Sequence, residues 1–164
     1  MPAVSNTSPL FNLAVIDRLE LLREQLGEVL IPPGVESELK RHRNESARER
    51  LDAAIRLKWL RVVSLTGSVP DNLAAILHRG EAEAIALALE LKADLVLLDE
   101  SDARSVAKRI GLAHTGVLGV LRRAKDSGRV TSLRAEVARL RAEANFFVHR
   151  ALEKELLASV GEEI

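Results

Sequence analysis

The sequence predicts an α/β fold in which helices cover both faces of a mostly parallel central sheet. Short apolar runs, such as residues 95–98, alternate with longer segments whose apolar residues recur at helical spacing. An apolar run bounded by polar residues is typical of a strand buried on both faces. Aromatic residues make up only 2% of the chain, which favours aliphatic helices packed on a sheet over a β-sandwich.

The first half of the chain predicts three strands separated by helices. The strands are expected in the apolar runs at residues 3–5, 28–31 and 59–63. Pro9 suits the first position of a helix capped by Ser8, and Asp17 suits the cap of the next helix. Residues 40–50 are strongly charged and predict an exposed helix or a helix–helix corner. Residues 66–71 carry glycine and proline and predict a loop.

The second half is organised around residues 80–111, whose pattern indicates helix, strand and helix. An alanine-rich helix with acids in its first turn precedes the strand at residues 95–98, and Gly111 suits the end of the helix that follows. Residues 112–114 predict a short fifth strand, which leads into a helix that ends near Gly128.

Apolar residues at helical spacing predict two further helices in a C-terminal extension of about residues 130–164. These helices are expected to wrap outside the sheet or to pair with another subunit. No repeat, low-complexity tract or interdomain linker interrupts residues 1–164, so the sequence predicts one domain.

Composition and charge restrict the class of protein. The 164 residues include 24 basic and 24 acidic side chains, so net charge gives no general attraction to nucleic acid or membrane. The absence of cysteine excludes disulfides, thiolate catalysis and zinc sites of the cysteine type. No apolar run approaches the ~18 residues that span a bilayer, and no segment resembles a signal peptide. We therefore expect a soluble, cytoplasmic protein.

Polar and acidic side chains stand near the ends of the predicted strands. Asn6 and Asp99 follow the first and fourth strands, Glu38 lies in the helix after the second, and Glu81 opens the helix before the fourth. The carboxyl ends of parallel strands meet at one edge of a sheet, so these side chains are expected to converge. Crowded carboxylates repel one another unless a cation neutralises them, and Mg²⁺ or Mn²⁺ prefers such oxygens.

Several of these residues also have a purely structural interpretation. Glu81 and Glu83 are about 200° apart on a helix, so only one can face the sheet. Glu81 shares its side with apolar residues and is favoured as the inward acid, with Glu83 as the alternative. Asp99 can be a helix cap, Asp102 or Ser101 can cap the helix that follows, and Asn6 can serve as a turn residue.

An ordered set of motifs over almost the whole chain resembles the PIN-domain proteins of the VapC-like ribonuclease kind. The motifs are Asn-Thr-Ser-Pro-Leu at residues 6–10, Gly-Glu-Ala-Glu-Ala-Ile at residues 80–85, and an apolar strand ending in Asp-Glu at residues 95–100. Residues 115–119 and 160–162 also match this subgroup. Each motif alone is weak, but the ordered set is specific.

The resemblance implies a PIN-like three-layer sandwich that acts as a metal-dependent endoribonuclease on RNA. It also implies an acidic pocket that holds Mg²⁺ or Mn²⁺, a homodimer, and a small antitoxin partner. Carried over residue by residue, the catalytic and metal-binding positions fall on Asn6, Glu38, Glu81 or Glu83, and Asp99, with Asp102 close behind. Thr7 or Ser8 would hold the attacking water or a phosphate oxygen.

Asn6 departs from the family pattern, which has aspartate at this position. An amide still offers one oxygen to a metal, but the lost charge weakens the site and leaves a second possibility. The chain would then be a weakened or inactive PIN-like module that binds RNA or protein. A phosphate-transferring enzyme is disfavoured, because the chain lacks a glycine-rich phosphate loop.

Basic and aromatic residues give weaker indications. Residues 40–43 and 122–125 can bind RNA phosphates or form solvated charged faces. The four histidines show no metal-ligand spacing, so none is assigned to a metal. One tryptophan and three phenylalanines give no evident platform on which bases could stack.

Overall fold

The computed structural model describes residues 2–164, in which strands and helices alternate. The strands are β1 (Ala3–Ser5), β2 (Val29–Ile31), β3 (Leu60–Val62), β4 (Leu95–Leu97) and β5 (His114–Thr115). The helices are α1 (Thr7–Val15), α2 (Glu20–Leu26), α3 (Pro33–Lys40), α4 (Glu45–Arg56), α5 (Asp71–Ala74), α6 (Arg79–Leu91), α7 (Ser101–Arg109), α8 (Val117–Asp126), α9 (Leu133–Ala144) and α10 (Arg150–Ala158). None of the described helices has the length and apolar character needed to span a membrane.

The five strands form one sheet in the order β3-β2-β1-β4-β5, and every pair is parallel. The predicted α/β fold with a mostly parallel sheet is therefore confirmed. Val4 at the centre pairs with Leu30 on one side and Val96 on the other. The chain leaves β1 toward β2 and later returns to its other side as β4. Ligands of open parallel sheets bind at such a reversal, beyond the carboxyl ends of the strands.

Two apolar clusters cover the two faces of the sheet. Alternate residues of a strand point to opposite faces, so Ile31 and Leu97 join the cluster built with α1, α2, α4, α8 and α9. Val4 and Val96 join the smaller cluster built with α5, α6 and α7. The strands are therefore buried on both sides, as their continuous apolar runs indicate.

Helix α6 is covered on more than one side, since it packs against β1, β4 and α3. Its small alanines allow this close approach, and residues 84–88 are all buried. The expectation that the side of α6 carrying Glu83 meets solvent is therefore wrong. The Glu83 carboxylate accepts a hydrogen bond from the Gly34 N–H (2.9 Å) at the start of α3 and pairs with Arg79.

Several predicted helix caps and boundaries differ in the structure. Helix α1 begins at Thr7, before the predicted Ser8 cap, and no side chain caps it. Asp17 caps no helix but adopts a positive φ of 58° and pairs with Arg50 on α4. β5 lies at His114–Thr115, slightly later than predicted. These positions depend on tertiary partners, which local patterns do not show.

The chain beyond α10 turns back onto the start of α9. The Glu162 carboxylate accepts hydrogen bonds from the N–H groups of Leu133 (2.8 Å) and Arg134 (3.0 Å). Lys125 on α8 lies 3.4 Å from the same carboxylate. Partial burial raises the Glu162 pKa, but the Arg134 and Leu133 N–H groups and Lys125 outweigh this and leave the pKa lowered. Ionised Glu162 thus fastens the C-terminus to α8 and α9.

We expect Glu162→Gln to lower the free energy of unfolding by about 1 kcal/mol near neutral pH, since the variant keeps the shape of the cap and loses its charge. The Glu162 pKa is lower in the folded state, so the stabilisation is present above its unfolded pKa and is lost as pH falls through the folded pKa. Urea unfolding at several pH values measures this difference. Exposed Glu163→Gln is the control, and equal losses in both variants at every pH would contradict the cap.

Candidate functional site

A cavity of about 1140 Å³ lies at the carboxyl edge of the sheet, beside the point where the strand order reverses. The start of α1, the end of α3 with the following loop, the start of α6 and the end of α9 contribute to its wall. Segments far apart in sequence meet here because all strands are parallel. The position is the one at which open parallel sheets bind ligands.

Asn6 and Glu38 bring two oxygen atoms together over the first turn of α6. Asn6 is 4% exposed, and its buried Oδ1 has no hydrogen-bond partner in the described part of the chain. A Cβ atom on Gly80 would overlap Glu38 Oε1 and would lie 3.4 Å from Asn6 Oδ1. Glycine is therefore needed at position 80, because a side chain would displace the Glu38 carboxylate. An unpaired buried acceptor beside a carboxylate is an arrangement that suits a cation.

Glu81 and Glu100 add acidic groups to the same wall. Glu81 is 6% exposed, and its Oε1 accepts a hydrogen bond from the His78 N–H at 3.1 Å. Burial raises the Glu81 pKa, the His78 hydrogen bond opposes this, and the negative charges of Glu100 and Glu38 raise the pKa further. Glu81 is therefore close enough to Glu100 and Glu38 for their charges to disfavour its ionised form.

Asp99 lies behind the wall of the cavity and holds two helices together. Its Oδ1 accepts a hydrogen bond from the Val117 N–H (2.8 Å), at the start of α8. Its Oδ2 accepts hydrogen bonds from Ser8 Oγ (3.3 Å) and Asn12 Nδ2 (3.4 Å) on α1. Burial raises the Asp99 pKa, although the Val117, Ser8 and Asn12 hydrogen bonds oppose it. The α8 terminus suits this carboxylate, since helix N-termini attract negative charge.

The structure brings some of the predicted site residues together and separates others. Asn6, Glu38 and Glu81 line the cavity, and Asp99 contacts it only through Ser8 and Asn12. Glu83 is occupied by Gly34 and Arg79, and Asp102 is exposed in the first turn of α7; neither lines the cavity. The predicted helix-capping role of Asp102 is wrong, because Glu100 holds the cap position of α7 without a side-chain hydrogen bond.

Glu100 was not singled out from the sequence. Two acids follow β4 in succession, and the strand pattern favours the first because it stands directly after the apolar run. In the structure the start of α8 engages Asp99, and Glu100 lines the cavity. The only sequence feature that could have indicated Glu100 is its position as the second acid of the Asp-Glu pair after β4.

Basic and aromatic side chains form another part of the wall. Arg41, His42 and Arg43, from the loop after α3, line the cavity together with Phe11 of α1. The rings of Phe11 and His42 are stacked, with their planes 18° apart. Burial, reinforced by the positive charge of Arg48, lowers the His42 pKa, which favours the neutral imidazole. The sequence gives no evident sign of this pair, because packing brings together residues that are distant in sequence.

The donor set fits a hard divalent cation that retains much of its water. Among residues 2–164, no three histidine, aspartate or glutamate side chains are grouped closely enough to hold an ion by themselves. Mg²⁺ is commonly bound by only one or two carboxylates together with water and substrate phosphates. Asn6 Oδ1 and the Glu38 carboxylate could supply such direct contacts, with Glu81 and Glu100 adding negative charge nearby.

We expect Glu81 to titrate above the ordinary glutamate pKa of 4.5, because burial and two neighbouring acids disfavour its ionised form. Glu38→Gln removes one of these charges and should lower the Glu81 pKa. Carboxyl-detected NMR titration measures the change. Glu36→Gln is the matched control on α3, since Glu36 pairs with Lys40 and lies outside the cavity. An unchanged Glu81 pKa in Glu38→Gln would show that the two groups do not share a site.

Comparison with known proteins agrees with this architecture. A PilT N-terminus domain protein, SSO1118, from the hyperthermophilic archaeon Sulfolobus solfataricus P2 has a similar solved structure, with a TM-score of 0.51 and 22% sequence identity. The similarity covers 73% of this chain and 90% of that chain, and at this identity it shows the fold alone. The comparison with curated proteins gives no match. The family model DUF3368, described as a PIN domain, matches residues 2–162, so the chain belongs to the PIN-domain family.

Proposed function

We propose that this PIN-domain protein is a divalent-metal-dependent endoribonuclease that hydrolyses phosphodiester bonds in RNA. PIN domains are in general nucleases. The observation that carries the proposal is the meeting of Asn6 Oδ1 and Glu38 Oε1 over Gly80. Glu81 and Glu100 line the same cavity. Such a concentration of acidic and unpaired oxygens is unfavourable by itself, because like charges repel one another, so it favours a site completed by a cation.

The chain's own residues have separable roles in this proposal. Asn6 and Glu38 would hold Mg²⁺ or Mn²⁺, and the bound ion would polarise a phosphoryl oxygen and lower the pKa of water. The raised pKa of Glu81 suits a group that accepts a proton from the attacking water. Thr7 lines the cavity, and its Oγ1 has no hydrogen-bond partner among the described residues, so the proposal gives this hydroxyl that water or a phosphate oxygen as its partner.

Asp99 has a positioning role in the proposed site. It joins Ser8 and Asn12 of α1 to the start of α8. Asn6 stands directly before α1, so this connection fixes the start of α1, and with it Asn6, relative to β4 and α8. Asp99 therefore contributes by orientation, and Glu100 takes its place as the acid that lines the cavity.

The VapC-like motifs support a more specific biological role. We propose that the protein is the toxin of a toxin–antitoxin pair, that it acts in the cytoplasm as a homodimer, and that a small antitoxin protein inhibits it. Growth arrest on expression, relieved by a short neighbouring gene, tests the toxin role. Sedimentation of the pure protein tests the dimer.

We expect the pure protein to cleave single-stranded RNA in Mn²⁺ or Mg²⁺ and to stop when EDTA is added. Glu38→Gln should lower the cleavage rate by about 100-fold or more, because metal-assisted stabilisation of the transition state contributes several kcal/mol. Glu81→Gln should also lower it by about 100-fold or more, because general-base catalysis contributes about 10²–10⁴-fold. Gel analysis of a labelled RNA measures the rates, and Glu36→Gln is the control. Cleavage that persists in EDTA, or that is equal in all three variants, would refute the proposed site.

A second candidate function is an RNA-binding module that no longer cleaves. Asn6 favours it, because a neutral amide stands where the family motif has aspartate, and the site has one negative charge fewer. A divalent cation is bound more weakly when fewer of its ligands are charged. This candidate predicts that the wild-type protein binds RNA and cleaves none with any metal.

We expect Asn6→Asp to raise the affinity for Mn²⁺ by about tenfold or more, since it adds a full charge beside Glu38. The same variant should melt at a lower temperature than wild type without metal, because the new carboxylate is buried without a counter-ion, and Mn²⁺ should reverse the loss. Calorimetric titration and thermal melting measure the two effects. If cleavage appears only in Asn6→Asp, the natural protein is the binding module; a metal affinity equal to that of wild type would place the ion elsewhere.

A further inference from the structure

The rings of Phe11 and His42 stack on each other, and both residues line the cavity. Phe11 is 9% exposed and belongs to the larger apolar cluster, so it is a fixed support. His42 is half-buried and lines the cavity, while Phe11 covers one face of its ring. The proposed hydrolysis gives neither ring a chemical step.

The imidazole of His42 is suited to stacking more than to ionic contact. It lies near Arg48, and burial together with that charge favours the neutral ring. Its buried Nδ1 has no hydrogen-bond partner within residues 2–164. A neutral planar ring held from behind is what single-stranded nucleic-acid sites offer to a base, since every base has a π-face.

Two arginines flank this ring in sequence. Arg41 and Arg43 are exposed and line the same cavity, and neither forms an ion pair with an acidic side chain of the described chain. Free guanidinium groups are suited to bind phosphate in a bidentate manner. The chain has no net charge, so a polyanion needs a local basic group such as this one.

The stacked rings of Phe11 and His42 lie close to the Glu38 end of the cavity. The Arg41 N–H donates a hydrogen bond to the Glu38 backbone carbonyl at 3.2 Å, within the last turn of α3. Glu38, which would hold the proposed ion, and His42 are therefore separated by about one turn of the chain. A cavity of about 1140 Å³ exceeds the ~300–1,000 Å³ that holds a small ligand, so it has room for more than one nucleotide.

We propose that His42, supported by Phe11, stacks with an unpaired nucleobase beside the scissile phosphate, while Arg41 and Arg43 bind the adjoining phosphates. This inference rests on the proposed ribonuclease function and adds that the substrate is single-stranded at the site. A base within a duplex is already stacked and paired, so it is not available to this ring. Selection by stacking tolerates any base, which predicts weak sequence preference at this position.

The test measures binding of a short labelled single-stranded RNA by fluorescence anisotropy in EDTA, where the proposed cleavage does not proceed. His42→Ala should weaken binding about 5- to 100-fold, since stacking on one side chain contributes about that factor per base. His42→Phe should retain wild-type affinity. Binding of an RNA duplex should not differ between wild type and His42→Ala, which a merely structural role for His42 would not predict.

An RNA with one abasic position locates the contact. Moving this position along the strand should identify one site at which wild type loses as much affinity as His42→Ala does on the intact RNA. The affinity of His42→Ala for that abasic RNA should equal its affinity for the intact RNA. Arg41→Gln and Arg43→Gln should each lower the salt dependence of binding by about 0.7 in the slope of log affinity against log salt. Arg109→Gln is the control, since this exposed residue of α7 lies outside the cavity.

The outcomes separate this inference from the proposed function. If wild type binds and cleaves single-stranded RNA while His42→Ala is unchanged in affinity and in KM, the stacking site is refuted and the nuclease stands. Equal losses in His42→Ala and His42→Phe, or equal losses on single strands and duplexes, also refute it. A wild-type protein that neither binds single-stranded RNA in EDTA nor cleaves it in Mn²⁺ refutes both proposals.

Discussion

The arrangement of this protein depends on the close approach of Asn6 and Glu38 to the backbone of Gly80. Only glycine, which has no side chain, leaves room there for the Glu38 carboxylate. The approach also leaves Asn6 Oδ1 buried and unpaired within the described chain, an arrangement that costs free energy unless a hydrogen-bond donor or a cation occupies the space. The parallel sheet makes this meeting possible, because β1, α3 and α6 all reach the same edge.

The acidic residues near Asn6 and Glu38 form two groups: some line the cavity, and others hold its wall in place. Glu81 and Glu100 belong to the first group, and the raised pKa of Glu81 reflects burial first and the charges of Glu100 and Glu38 in addition. Asp99 and Glu83 belong to the second, since their oxygens are used by the N-termini of α8 and α3. Helix N-termini attract carboxylates, so nearby acids in one sequence motif can have different roles.

The sequence predicted the sheet well because its strands are short apolar runs with polar ends, a pattern that is local. It also predicted that Asn6, Glu38 and Glu81 approach one edge, since parallel strands require this. It favoured Asp99 over Glu100 because Asp99 stands directly after the apolar run. Which of these two acids lines the cavity depends on where α8 begins, and the local pattern does not show this. It missed the stack of Phe11 on His42, because that contact depends on how α1 packs against the loop after α3.

Diffraction from crystals soaked in Mn²⁺, with the anomalous signal of the ion, shows whether Asn6 and Glu38 hold a metal. We expect an ion in contact with Asn6 Oδ1 and the Glu38 carboxylate, with Glu81 beside it and Asp99 still hydrogen-bonded to the Val117 N–H. An ion held by Asp99 instead, or no ion at concentrations at which RNA is cleaved, would contradict this expectation.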